Sequence, residues 1–163
     1  MRVYLPATVA VLRDLVDQGQ FVPVGGTGFA LTPALRESYA AGDTEELEYA
    51  AMLDAARASL RLIAADEKAV PRRAVVSVDV DDVKLRPDLD FSVVKLSGPV
   101  ALAQVAAVHL DTGEAEDDVR AAAEVIDAAD LGDPDAEFAL GGAEDHELAW
   151  YAPQELPFVL ELM

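Results

Sequence analysis

One segment constrains the fold more than any other, because it carries the start signals of two consecutive helices. Thr32 is a good N-cap, and Pro33 suits the first position of a short helix. Asp43 can cap the next helix, and Glu46 three residues later completes a capping-box-like pair. These signals predict an αα-hairpin over about residues 33–65. Its second helix is expected to bury an apolar stripe of Tyr49, Leu53, Ala56, Leu60 and Ile63.

Alternating and apolar runs elsewhere in the chain predict strands, with helical spacing between them. The predicted strands are "RVYL", "RRAVVSVDV", "DFSVVKLS" and "AQVAAVHLD", and further helices are predicted in "TVAVLRDLVDQG" and "EAEDDVRAAAEVIDAAD". Pro153 and Pro157 frame a short terminal helix or turn. This mixture predicts a single α+β domain over residues 1–163, with a mostly antiparallel sheet covered by helices. A ferredoxin-like arrangement is expected.

Several classes of function are excluded by what the chain lacks. It has no cysteine, which rules out disulfides, thiolate nucleophiles and cysteine-ligated metals and fits a cytoplasmic protein. No segment reaches the roughly 18 continuous apolar residues of a membrane span, so no membrane association is expected. The glycine-rich "GGTGF" lacks the G-K-[ST] ending of a phosphate loop, and no cofactor is predicted.

Acidic charge is concentrated in the last third of the chain. The net charge is −19, and residues 111–163 hold 16 acids and a single base, Arg120. Such a field repels nucleic acid and anionic lipid, and it attracts cations or a basic protein surface. An acidic surface that only keeps the protein soluble is the alternative.

The stretch Ala143–Pro157 contains the only tryptophan and one of the two histidines. Its "HELAW" begins like the helical zinc motif H-E-x-x-H, but Trp150 occupies the second ligand position and cannot bind zinc. The segments "AEFAL" and "HELAWYA" around "GGAED" predict a hairpin with His146, Leu148 and Trp150 on one face. That face is either core or an interaction surface, and core packing is favoured.

Two sets of side chains are candidates for function. The residues expected at an interaction surface or pocket are His146, Trp150, Tyr151, Asp145, Glu147 and His109. A weaker alternative is a divalent-metal site assembled by neighbouring strands from His109, His146, Asp111 and Asp145. Ser59 and Ser77 have no evident histidine partner along the sequence, and no catalytic residue is assigned.

Three blocks of the sequence carry a resemblance to a known family. They are "TPALRESYAAGDTEELEYAAMLDAARASLRLIAAD", "GPVALAQVAAVHLD" and "DAADLGDPDAEFALGGAEDHELAWYAPQELP". Together they resemble an uncharacterised family of small acidic actinobacterial proteins, a domain of unknown function. The resemblance covers nearly the whole chain and implies an actinobacterial, cytoplasmic origin. It implies no activity and no site.

The hypothesis that follows from the charge is a non-enzymatic binding or regulatory protein. Its acidic C-terminal third would contact a basic partner or cations. The alternative is a small enzyme that uses carboxylates with His146 and His109, assisted by a divalent metal. The sequence leaves the oligomeric state open.

Overall fold

A computed structural model describes residues 1–163, and a seven-stranded antiparallel sheet forms its central layer. In chain order the strands are β1 (Arg2–Ala7), β2 (Gln20–Phe21), β3 (Thr27–Ala30), β4 (Ala74–Asp79), β5 (Val83–Leu85), β6 (Val93–Leu96), β7 (Val100–Ala101), β8 (Val105–Leu110) and β9 (Ala149–Tyr151). The order across the sheet is β5-β6-β3-β1-β4-β8-β9, and β2 pairs with β7 in a separate two-stranded ribbon.

Six helices cover this sheet. They are α1 (Val9–Gln18), α2 (Pro33–Ser38), α3 (Thr44–Ala64), α4 (Glu116–Asp130), α5 (Pro134–Glu144) and α6 (Leu156–Glu161). None of them combines the length and the apolar character that a membrane crossing requires.

Local chemistry sets the ends of the helices. The Thr8 hydroxyl accepts the backbone N–H of Val11 at the start of α1, and the Asp43 carboxylate accepts that of Glu46 at the start of α3. Gly19 ends α1 with φ at 74°, a left-handed conformation that costs little only for glycine.

Side chains that alternate along the strands build a separate core on each face of the sheet. On one face, Leu5 and Val76 pack with Leu12 of α1 and Leu156 of α6. The other face packs against α3, where Met52, Ala55 and Ala56 meet Tyr4, Phe29, Val75 and Val93. The α4–α5 hairpin forms an outer layer, because its buried residues pack on Leu60 and Ile63 of α3.

Most predicted elements are confirmed. The two helices of the 33–65 segment are α2 and α3, the helix predicted at residues 114–130 is α4, and the terminal helix is α6. The α+β class is confirmed, whereas the ferredoxin-like arrangement is not, since the sheet has seven strands in the order given above.

The predicted hairpin around "GGAED" is wrong. Residues 134–144 form α5, which begins with Pro134 at its first position and with the Asp133 carboxylate accepting two backbone N–H groups. Gly141 and Gly142 lie inside this helix rather than in a turn. Packing of Ala136, Leu140 and Ala143 against α3 and α4 offsets the low helix propensity of the two glycines.

The apolar stripe predicted for α3 is wrong at its N-terminal end. Tyr49 and Leu53 are exposed, and the helix instead buries Leu47, Ala51 and Ala55. The first turns of α3 are therefore rotated relative to the prediction, and Tyr49 faces solvent beside the sheet.

A buried ion pair joins the start of β4 to the end of β8. The Arg73 guanidinium donates to both carboxylate oxygens of Asp111, with Nε–Oδ2 at 2.8 Å and Nη2–Oδ1 at 2.9 Å. Both side chains are almost completely buried. The backbone N–H of Arg73 also donates to Asp111, and its Nη2 donates to the carbonyl of His146. The pair thus links the sheet to the segment that follows α5.

A buried hydroxyl makes a second link between a helix and the sheet. Ser59 of α3 donates to the carbonyl of Ala7 and accepts the backbone N–H of Ala74. Because Ala7 and Ala74 are paired residues of β1 and β4, this one side chain bonds two neighbouring strands.

Replacing Asp111 by Asn tests the buried pair. The substitution leaves the Arg73 guanidinium buried without a counter-charge, and we expect the free energy of unfolding to fall by about 3–5 kcal/mol. Urea denaturation measures this change. Asp88→Asn is the control, because it removes the partner of Arg86 in an exposed ion pair and is expected to change stability little. Equal losses in the two variants would contradict the prediction.

Candidate functional site

The two predicted residues His109 and Trp150 lie side by side in the structure. They are paired residues of β8 and β9, so their side chains stand on the same face of the sheet, the face that α3 covers. The indole of Trp150 does not enter the core, and this residue is 60% exposed. The expectation that Trp150 packs in the core is therefore wrong, whereas Leu148, two residues earlier, packs against the core on this face.

His109 has a partner that the sequence did not indicate. Its Nε2 lies 2.8 Å from the hydroxyl of Ser77 on the neighbouring strand β4. Burial lowers the pKa of His109 below its ordinary value, and the positive charge of Arg2 lowers it further, so the imidazole is neutral at neutral pH. Ser77 is only 1% exposed, which keeps its hydroxyl away from any substrate in solvent.

The N-terminal strand places two more polar side chains on this face. The guanidinium of Arg2 donates to both carboxylate oxygens of Asp79, at 2.7 and 3.1 Å. The hydroxyl of Tyr4 lies 3.4 Å from the carboxylate of Glu48 on α3. Burial and the nearby negative charge of Glu48 raise the pKa of Tyr4 to about 12, so its hydroxyl is protonated at neutral pH.

These side chains surround a cavity of about 280 Å³ between the sheet and the first turns of α3. We call it the sheet-face cavity, and its lining residues are Arg2, Tyr4, Glu45, Glu48, Tyr49, Met52 and His109. Its only cationic side chain, Arg2, is already paired with Asp79. Glu45 and Glu48 have no basic nitrogen within 4 Å.

His146 lies away from this cavity, on the α4–α5 side. Its Nε2 is 2.8 Å from the carboxylate of Asp118 on α4, and its carbonyl accepts Arg73. Asp145 ends α5, and both it and Glu147 are exposed. Tyr151 is half-buried and packs against the core on the opposite face of the sheet. The six predicted residues therefore divide among three places.

The four predicted metal ligands are not brought together. Asp111 is held by Arg73, His109 by Ser77 and His146 by Asp118, while Asp145 is exposed at the end of α5. No group of three or more His, Asp or Glu side chains has an arrangement that could hold a metal ion. The two histidines likewise form no joint catalytic site.

The α4–α5 hairpin carries a second surface of functional interest. The acids of the hairpin that face α3 form ion pairs with its arginines. Arg57 and Arg61 bind Asp130, and Arg57 also binds Glu137. We call these the inward acids. Other acids of the hairpin and its flanks have no basic nitrogen within 4 Å, namely Glu114, Glu124, Asp127, Asp133, Asp135, Glu144, Asp145 and Glu147. We call this set, with the helices that carry it, the acidic hairpin surface.

Two large apolar side chains stand among these acids. Leu131 follows α4 and is 90% exposed, and Phe138 on α5 is 86% exposed. On a helix, residue 138 is adjacent to residues 135 and 141, so Phe138 lies between Asp135 and the bare backbone of Gly141. The surface thus combines unpaired negative charge with apolar side chains.

The raised pKa of Tyr4 predicts a loss of stability at high pH. Its pKa lies above the ordinary value of 10.0, so the folded protein keeps a proton that the unfolded chain loses. We expect the free energy of unfolding to decline as pH rises from about 10 to about 12, and Tyr4→Phe to remove that part of the decline. Urea denaturation across this range checks it, and identical slopes for the two proteins would refute it.

The comparisons with known proteins give a family and no activity. No curated protein matches the chain at a significant level, and no solved structure does. One family model matches residues 1–160, which is nearly the whole chain, and this confirms the resemblance to a family of unknown function. The chain belongs to that family of unknown function, DUF6912.

Proposed function

We propose that the protein is a non-enzymatic cytoplasmic binding module whose acidic hairpin surface contacts a basic surface of another protein. The observation that carries the proposal is the set of unpaired carboxylates in residues 111–163, beside exposed Leu131 and Phe138. A surface that only keeps the protein soluble requires charged side chains but does not require exposed apolar ones.

The placement of charge supports an external partner. The arginines that lie near the hairpin are paired with its inward acids and with Glu116. The outward acids repel one another, since like charges three residues apart on a helix, such as Glu124 and Asp127, are destabilising. A basic partner would relieve that repulsion, and its encounter rate would rise in the long-range negative field.

The exposed apolar side chains can contribute binding energy that is less sensitive to salt than the charge interactions. Interactions between exposed charges contribute mainly to encounter rate and are weakened by salt. Burial of an aromatic side chain is less sensitive to salt and dominates many interfaces. Phe138 therefore suits the role of an anchor, and the acids around it would select a basic surface.

Charge-matched variants test this proposal. One variant neutralises the hairpin with Glu124→Gln, Asp127→Asn and Asp135→Asn, and the control neutralises exposed acids of α1 and α2 with Asp14→Asn, Asp17→Asn and Glu37→Gln. Each immobilised protein is incubated with native cell extract at low ionic strength. We expect the wild type and the control to retain the same basic protein, and the hairpin variant to lose it.

The salt dependence separates the two components of the interface. High salt is expected to release the retained protein from the wild type, and Phe138→Ala to weaken retention at every salt concentration. Equal losses in the hairpin variant and the charge-matched control would show that only net charge matters. That result would leave solubility as the role of the acidic surface.

A further inference from the structure

The sheet-face cavity is lined by two glutamates and one arginine, so acidic side chains outnumber basic ones there. Its one cation, Arg2, is engaged by Asp79 through two hydrogen bonds. Glu45 and Glu48 are one helical turn apart on α3 and both line the cavity. Since His109 is neutral at neutral pH, it adds no positive charge. The cavity therefore favours a cationic occupant and disfavours an anion.

The remaining walls are aromatic or weakly polar. Tyr4 forms part of the floor, Tyr49 is exposed at the rim, and the thioether of Met52 lies between sheet and helix. Aromatic faces attract alkylated ammonium groups, and methionine adapts to their shape. The cavity has only two carboxylates, and no group of three or more His, Asp or Glu side chains is arranged there to hold a metal ion.

We propose that the sheet-face cavity binds a small organic ammonium ion. The carboxylates of Glu45 and Glu48 balance the positive charge of this ion, and the side chains of Tyr4 and Tyr49 contact its alkyl groups. The volume of about 280 Å³ suits a ligand of a few heavy atoms rather than a nucleotide or a folded peptide. Trp150, beside His109 on the same face, extends the aromatic surface towards the sheet edge. The site is distinct from the acidic hairpin surface and does not depend on the function proposed for it.

Choline and its uncharged carbon isostere are the probes. In the isostere a quaternary carbon replaces the nitrogen, so the two probes share shape and differ in charge. Calorimetry of the full chain is expected to give saturable binding of choline, roughly tenfold tighter than that of the isostere. Amide chemical shifts are expected to move at residues 45–52 and 107–110 and to stay fixed at residues 116–144.

Substitutions at the cavity identify the groups that oppose the charge. The double variant Glu45→Gln/Glu48→Gln is expected to weaken choline binding by at least about tenfold, because it removes both counter-charges. Glu46→Gln on the same turn is the matched control, since Glu46 does not line the cavity, and it is expected to leave the affinity within about twofold. Tyr49→Ala alters an exposed side chain and is expected to weaken choline binding without unfolding the protein.

The proposal is overturned by any of three results. They are the absence of saturable binding, equal affinity for choline and its isostere, and equal losses in the double variant and Glu46→Gln. Shifts confined to residues 116–144 would place the cation on the acidic hairpin surface, which would refute the cavity site and leave the proposed function standing.

Discussion

The ion pair between Arg73 and Asp111 is the contact on which the arrangement of the acidic third depends. Asp111 immediately precedes the turn into α4, and His146, whose carbonyl accepts the same guanidinium, follows α5. The buried side chain of Arg73, the residue just before β4, therefore holds both ends of the α4–α5 segment against the sheet. Burying two charges is costly unless every hydrogen bond is made, and no buried side-chain polar atom lacks a partner.

Further ion pairs explain how the acidic α4–α5 hairpin packs against the rest of the protein. Arg72 binds Glu116 at the first residue of α4, and Arg57 and Arg61 bind Asp130 at the last. Arginines from the first two thirds of the chain thus neutralise the acids of the hairpin that face the rest of the protein, at both ends of α4. Apart from Asp117, which is paired with Arg120, most outward acids have no basic partner, so the sequence asymmetry becomes a predominantly negative surface.

Most of the fold could be predicted from local signals, because caps, proline positions and alternation act within a few residues. The error at α5 shows where such signals compete. Asp133 and Pro134 mark a helix start, but the adjacent glycines Gly141 and Gly142 favour a turn. The outcome was decided by contacts of Ala136 and Leu140 with distant helices, which a single sequence does not display.

The candidate cavity could not be predicted for a related reason. Two residues that line the cavity, Tyr4 and His109, and their neighbours Ser77 and Trp150 come from four strands that are consecutive in the sheet but far apart in the chain. These strands are β1, β8, β4 and β9, respectively. Only the register brings them onto one face of the sheet, with Tyr4 opposite Ser77 and His109 opposite Trp150, and a slip of one residue would turn each to the opposite face. The single local signal was Tyr49, an aromatic residue placed by pattern in the core and found at the cavity rim. The density of functional groups around His146 was a poorer guide to this cavity, because the fold divides those side chains among three places.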